Sequence, residues 1–562
     1  MKLGSGFEKD HQASGAPSTP CTKSSSHHGP WGRFEVLLMG CAALLWLILR
    51  SGTKPTRLSY PCQQSAFGFA AGVFGVPFVA AVVHGRDRLM PHRRAVGAVA
   101  MLALGAALAA ATLYPSLQDS DSLGPLQLTL PPNYQPEVFS VPHTRGPAAG
   151  RFGGVDDLVT LMGTSGVRWY RSAVEDLRSG PNGLIDADDV VLIKINAQWP
   201  ERGGTNTDVL RGLIRVVVDH PDGFTGEVIV ADNGQTNGNL NRAQNNAEDT
   251  GQSVLDVVNE VGAEGWNVSA QLWDSFRTSP VSEYAEGDSR NGYVVTSTLD
   301  AETQIKVSYP KFQSAFGTYV SYKHGIWSPD QSLYDPSKLV VINVPVLKTH
   351  SIYAITAGVK NHMGVVTTGI NINTDSHNGV GRGGLGSVMA EVRVPDLTVL
   401  DCIWVLARPG TGPAASYAAA TRRDQLLAAF DPVALDVWAA KHVLMPEIVS
   451  NGYTGNDYGQ NQDPDNPDSV FRRYLDRSLA ELLRAGIPAT NDPAAVELHV
   501  WVGDHDLDGD VDEIDTVELI QCLTGPGTIN QPSCQAFDSD DDGDVDLFDA
   551  SRFQRVFTGS KQ

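Results

Sequence analysis

Cysteine is scarce in this chain, with six in 562 residues. No CxxC pair occurs, so neither a zinc ribbon nor an iron–sulfur cluster has ligands to rest on, and a disulfide scaffold is excluded. Only Cys522 and Cys534 are spaced to close a short surface loop, which an oxidising compartment would allow. Two unpaired thiols are an equal reading of the same spacing. Dense positive charge is missing as well. Lys and Arg number 42 against 64 Asp and Glu, a formal net charge of -22. No basic face is dense enough to displace counterions from a phosphate backbone, which argues against nucleic acid as a main partner. The acidity is local: residues 504–515 and 538–549 hold seven acidic side chains each, and without those fourteen the balance is -22 + 14 = -8. Acid gathered in this way advertises cation ligands.

Length implies several folding units. Residues 36–49, 66–83 and 95–113 are uncharged apolar runs separated by short basic stretches. The second and third approach the roughly 20 apolar residues that span a bilayer, while the first is short enough to be a signal-peptide core. A long polar tail before it favours three spans, giving a polar tail over 1–33 and transmembrane helices within 34–113. Eight Lys and Arg flank one side of these runs (2, 9, 23, 33, 86, 88, 93 and 94) and four the other (50, 54, 57 and 145). The positive-inside bias then leaves the body on the extracytoplasmic side of the cell membrane. Residues 114–150 carry seven prolines and read as an extended tether.

From 151 to 450 the pattern changes. DVVLIKIN (189–196) and EVIVADN (227–233) are β-branched runs, and TDVLRGLIRVVVD (207–219) between them has helical spacing. The three make a βαβ unit with parallel strands. KLVVINVPVL (338–347) and LTVLDCIWVL (397–406) read as further buried strands, and 424–444 as helical material broken at Pro432. The expected fold class is α/β, a mostly parallel sheet flanked by helices. Residues 451–500 read as a connecting segment before a small module at 501–562.

In such sheets chemistry collects beyond the carboxyl ends of the strands. Lys194 and Asn196 end the first strand, Asp232 and Asn233 the second, and Lys348, Thr349 and His350 the third, followed by Lys360, Asn361 and His362. Three lysines from separate loops meeting in one crevice would make a positive field for a phosphate or carboxylate, and one of them could act as a base if desolvated. His350, His362 and His377 are spaced by 12 and 15 residues, which matches no transition-metal pattern. Glycines in 379–386 fit no dinucleotide fingerprint and read as a flexible loop or lid.

These segments, taken in order, carry a resemblance. IKIN (193–196), NTDVLRGLI (206–214), VADN (230–233), NVPVLKTH (343–350), ITAGVKNHMG (355–364), VLDCIWV (399–405) and FDPVALDVWAAK (430–441) resemble the bacterial and archaeal family catalogued as domain of unknown function 362, over about residues 185–445. Some members carry a ferredoxin-like segment, and the missing cysteines here imply no iron–sulfur cluster. Residue by residue, the resemblance implies roles for Lys194, Asn196, Asp232, Lys348, His350, Lys360, Asn361, Asp431 and Asp436, with Asp431 before Pro432 equally readable as a helix cap. The catalytic candidates are thus Lys194, Lys348, His350, Lys360 and Asp232. Asn196, Asn233, Thr349, Asn361 and Asp436 are the substrate-binding candidates.

The acidic loops repeat at an interval of 34 residues. DHDLDGDVDEID places Asp504, Asp506, Asp508, Asp510, Asp512 and Asp515 at positions 1, 3, 5, 7, 9 and 12 around Gly509. DSDDDGDVDLFD places Asp538, Asp540, Asp542, Asp544, Asp546 and Asp549 likewise around Gly543. Alternate oxygens wrapped on a glycine bend suit calcium, one ion per loop and two in all. Each loop is followed by a short amphipathic run and by no long preceding helix, a duplicate that looks like a dockerin type I repeat over 504–559. That resemblance implies a cohesin-like protein partner. Two readings follow: an enzyme or binder acting on an anionic small molecule, or a non-catalytic docking protein whose working part is the calcium module.

Overall fold

The computed structural model describes residues 126–557 apart from positions 127, 143, 145, 149, 368–378, 456, 458–460, 502, 504–510, 530, 532–533, 535–536 and 540–542. A ten-stranded mixed sheet organises them. Its strands are β1 (Glu137–Val141), β2 (Val190–Lys194), β3 (Glu227–Asp232) and β4 (Val268–Leu272). Five strands of a second sheet intervene: β5 (Gly292–Val295), β6 (Ser308–Gln313), β7 (Tyr319–Ser321), β8 (Gly325–Ser328) and β9 (Leu333–Asp335). The large sheet resumes with β10 (Leu339–Asn343), β11 (Val346–His350), β12 (Ala354–Thr356), β13 (Leu397–Leu406), β14 (Thr421–Ala429) and β15 (Glu497–Val500). Its order is β15-β1-β14-β13-β10-β2-β3-β4, with β11 paired to β13 and β12.

β2, β3, β4, β10 and β13 are parallel to their neighbours among themselves, as a βαβ pattern dictates. β14 runs antiparallel to both β13 and β1, and the second sheet is antiparallel throughout. The fold is therefore mixed α/β, where a mostly parallel sheet was expected. Strand alternation sends Val190, Leu192, Ile229, Leu339 and Val341 into one apolar layer and Val191, Ile193, Val228, Val230 and Ile342 into the other, so both faces are covered.

Helices on these faces begin where the sequence supplies caps. α1 (Gly153–Thr164) precedes β2. α2 (Thr207–Val218) starts at Asn206, whose side chain accepts from the N–H groups of Asp208 and Val209. α3 (Val254–Gly262) has a capping box between Ser253 and Asp256. α4 (Gly358–Asn361) and α5 (Gly384–Glu391) follow β12, and α6 (Pro432–Ala439) follows β14. α7 (Val470–Arg484), α8 (Glu513–Cys522) and α9 (Leu547–Val556) complete the set used below.

Several expectations are corrected. No helix among the described residues is long and apolar enough to cross a membrane. The longest of those named, α7, has 15 residues, about 22 Å of rise against the roughly 30 Å of a hydrocarbon core, and carries four arginines. The three apolar runs at 36–49, 66–83 and 95–113 lie outside the described residues; what the described residues show is a mixed α/β sheet with helices, and three transmembrane helices are not shown. Within the expected tether, Glu137–Val141 is a buried strand between β14 and β15. The expected connecting segment supplies α7 and the edge strand β15. Residues 424–429 belong to strand β14 and are not helical, because Leu426–Ala429 are buried on both faces and so lose the period-2 signal. The run 338–347 divides into β10 and β11 at Val344–Pro345, where proline has no N–H for a ladder. The glycine-rich stretch is no lid. A Cβ on Gly386 would lie 2.3 Å from the Ser478 carbonyl oxygen, so its glycines let α5 pack against α7.

Candidate functional site

The carboxyl ends of β2, β3, β10 and β11 gather the charged side chains that the sequence singled out. They form a buried network, where an open crevice was expected: Lys194, Lys348 and Lys360 are 1 %, 0 % and 5 % exposed. Lys194 Nζ lies 3.0 Å from Asp232 Oδ1 and donates to the Asn361 carbonyl at 2.5 Å. Burial pushes the Lys194 amine down and the Asp232 carboxyl up, and their attraction opposes both shifts. Asp232 Oδ2 also accepts from the Ala197 N–H at 2.8 Å. Gly364 packs on this pair so closely that a Cβ there would fall 2.0 Å from Asp232 Oδ1 and 2.4 Å from Lys194 Nζ.

Lys348 has a different environment. Its Nζ donates to the Gly203 carbonyl. Burial lowers its affinity for protons to about 7; the Lys360 charge adds to the fall, and Asp232 opposes it. Asp401, in the middle of β13, accepts from the N–H groups of Ile403 (3.0 Å) and Asn206 (3.3 Å) and from Asn246 Nδ2 (3.2 Å). Burial nevertheless pushes it up to about 7. Arg202, itself 7 % exposed, stacks over the Trp404 ring at 4.0 Å, and its Nε is buried without a hydrogen-bond partner.

The other expected residues divide. Lys360, on α4, lies 5.4 Å over the Tyr353 ring. Asn361 donates to Asn343 Oδ1 at 2.8 Å, tying α4 to the end of β10. Asn233 donates to the Tyr293 hydroxyl (2.7 Å) and the Val366 carbonyl (2.9 Å), linking β3 to the second sheet. Asn196 gives its backbone N–H to Thr205 Oγ1 (2.7 Å), and its Oδ1 is buried without a partner. His350 Nδ1 accepts from the N–H groups of Ile352 (3.0 Å) and Tyr353 (3.2 Å), which makes it the brace of a turn. Thr349 points to the opposite face of β11 and donates to the Arg408 carbonyl at 2.8 Å. Asp436 caps α4, accepting from Gly358 (2.6 Å) and Val359 (3.0 Å), and burial pushes it up to about 8. Asp431 caps α6. The structure thus brings together Lys194, Asp232, Lys348, Lys360 and Asn361, and places Thr349, His350 and Asp436 in positions where they hold backbone.

Asp401 and Arg202 were not read as part of this centre, and His362 was placed at the strand ends without a role. His362 is buried, with Nδ1 3.2 Å from the carbonyls of Gly358 and Val359; burial and Lys194 lower it to about 4, and Nε2 lacks a partner. A lone Asp inside the otherwise apolar run VLDCIWV was the signal for Asp401. His377 lies outside the described residues.

In the C-terminal module, Asp504, Asp506, Asp508, Asp510, Asp540 and Asp542 lie outside the described residues. The rest show how loop and helix are joined. Asp512 and Asp515 form a capping box at the start of α8, and Asp546 and Asp549 the same at α9. Gly543, at φ +89°, donates its N–H to Asp538 Oδ2 at 3.0 Å, which is the bend expected at loop position 6. Asp544, Asp546 and Asp549 each present a carboxylate oxygen, all within 4.8 Å of one another. Three carboxylate oxygens converging in this way fit a hard divalent cation. Cys522 and Cys534 are disulfide-bonded.

Residues 337–441 match the family model described as domain of unknown function (DUF362), and residues 502–557 match the dockerin type I domain model. Both resemblances drawn from the sequence are thereby shown, and the dockerin match supports calcium binding by this module. No curated protein and no solved structure matches the chain.

Proposed function

We propose that this is a calcium-dependent docking protein working outside the cytoplasm, whose C-terminal module holds two ions and captures a cohesin-like partner. The observation that carries the reading is where apolar surface is left uncovered. Of the fifteen exposed large hydrophobic side chains among the described residues, eight lie in the module: Ile514, Val517, Ile520 and Leu523 on and after α8, Ile529, and Leu547, Phe548 and Phe557 on and after α9. Concentrated exposed apolar surface marks a protein-interaction face. Asp504, Asp506, Asp508, Asp510, Asp512 and Asp515 hold the first ion, and Asp538, Asp540, Asp542, Asp544, Asp546 and Asp549 the second. Millimolar calcium and the Cys522–Cys534 disulfide suit an oxidising, extracytoplasmic setting. The test is capture of purified type I cohesin domains by the full chain in calcium and in chelator. Capture in calcium that chelator removes is expected. Capture indifferent to chelator, or none by any domain of the panel, overturns it.

A second reading concerns the α/β body and rests on the surplus of buried cations at the strand ends: it binds an anionic small molecule there. Lys348→Met is expected to abolish binding of that anion while the melting temperature changes little. A large loss of stability with binding retained would make the lysine structural.

A further inference from the structure

Lys348 stands on β11 directly opposite Thr356 on β12. Thr356 is 5 % exposed, and its hydroxyl is a buried group with no hydrogen-bond partner. Such a group is costly to leave unmade and points to something that completes it. The charges facing Lys348 come from every element around it: Lys194 on β2, Asp232 on β3, Lys360 on α4 and Asp401 on β13. Arg202 lies beside Gly203, whose carbonyl accepts from Lys348. Lys194 is matched by Asp232. Asp401 is satisfied by neutral N–H groups, and the Lys348 amine donates to a neutral carbonyl. A buried ammonium in that position is unfavourable unless it loses its proton or gains an anion.

We propose that the β11–β12 end of the body is a proton-coupled oxyanion site, in which a small sulfate-, phosphate- or carboxylate-like group bonds to Lys348 and the Thr356 hydroxyl while Lys348 takes a proton from solution. The inference rests on the anion-binding reading above and adds its regulation. Without the anion, Lys348 keeps a neutral amine that donates to Gly203. With it, the amine and a solvent proton form an ammonium paired with the anion, so no net charge is added beyond the anion's surplus. The lowering of Lys348 by burial and by Lys360 agrees with this exchange. Binding is therefore tighter on the acid side of neutrality than on the alkaline side.

Titration calorimetry of the full chain with sodium sulfate, a probe that does not itself titrate near neutrality, tests the site in buffers of different ionisation enthalpy. At pH 8 the apparent heat is expected to scale with the buffer's enthalpy, reporting about one proton taken up per sulfate, and to stop doing so near pH 5.5. Thr356→Val is expected to weaken binding by about tenfold with proton uptake unchanged. Lys348→Arg, always charged, is expected to bind without uptake. Sulfate binding whose heat is buffer-independent at pH 8 overturns the proton coupling and leaves the anion reading standing. Absence of binding by sulfate, phosphate and acetate at about 10 mM overturns both, and the wild-type series decides this even if a variant fails to fold.

Discussion

The body and the C-terminal module both gather carboxyl groups away from water, and they accommodate them by different means. In the body every carboxylate of the site has a protein partner: Asp232 has Lys194, and Asp401 and Asp436 have backbone or amide N–H groups. In the module Asp544, Asp546 and Asp549 bring three carboxylate oxygens within 4.8 Å of one another. The body answers each of these carboxyls with a lysine or with N–H groups, whereas three carboxylates so close to one another repel unless a cation joins them. Folding of the first should depend on pH and hardly on metal, and of the second on metal first.

The largest expected effect breaks the comparison from the module's side. At free calcium a hundred times the dissociation constant, each ion adds about 2.7 kcal/mol, so chelation removes roughly 5 kcal/mol from the module. Calorimetric melts in calcium and in chelator should shift the module's transition and leave that of the body nearly in place. A body transition that falls equally would show the two to be one cooperative unit. Next is Asp232→Ala, which strands the Lys194 ammonium and should cost the body about 3–5 kcal/mol in denaturant unfolding, whether or not calcium is present. Reduction of the 12-residue separation between Cys522 and Cys534 should cost the module about 3 kcal/mol, read as a lower calcium-bound melting temperature in reductant.

An effect of pH has opposite signs in the two regions. Burial raises Asp436 to about 8 and Asp401 to about 7 from ordinary values near 4, so the folded body binds more protons than the unfolded chain across that interval. Its stability should fall as pH rises from about 4 to about 8. Lys348, lowered to about 7, works the other way and should restore stability from about 7 up to the ordinary lysine value. The module binds calcium through ionised carboxylates and should lose its ions as pH falls toward 4. Paired melts at pH 5 and pH 8 that move both regions in one direction would contradict this contrast.

What could be read from the sequence follows the same division. The calcium loops are local: ligands, bend and following helix lie within twelve residues and repeat, so spacing alone identifies them. The βαβ strands β2 and β3 were legible because each is an uninterrupted apolar run rich in β-branched residues that ends at a charged side chain. β14 was not, because a strand buried on both faces shows neither period, and Asp431–Pro432 just beyond it is a true helix start that drew the reading of helix backward. At the site, residue types were legible and burial was not. Lys348 and Thr349 are neighbours in sequence, and only strand alternation in a packed sheet sends one into the charged network and the other to a backbone carbonyl. Asp401 and Arg202 joined the centre through contacts across roughly 200 positions, which no local pattern records.

The position of β1 bears on how the chain comes to be made. Val138 has Ala429 on one side and Leu498 on the other, so the first strand of the sheet has no neighbour until its partners have been synthesised. At ribosomal speeds of about 5–20 residues per second, the 291 positions between Val138 and Ala429 take roughly 15–60 s to emerge. Through that wait an apolar strand has both edges bare, the condition under which a nascent chain recruits a chaperone or a neighbouring copy of itself.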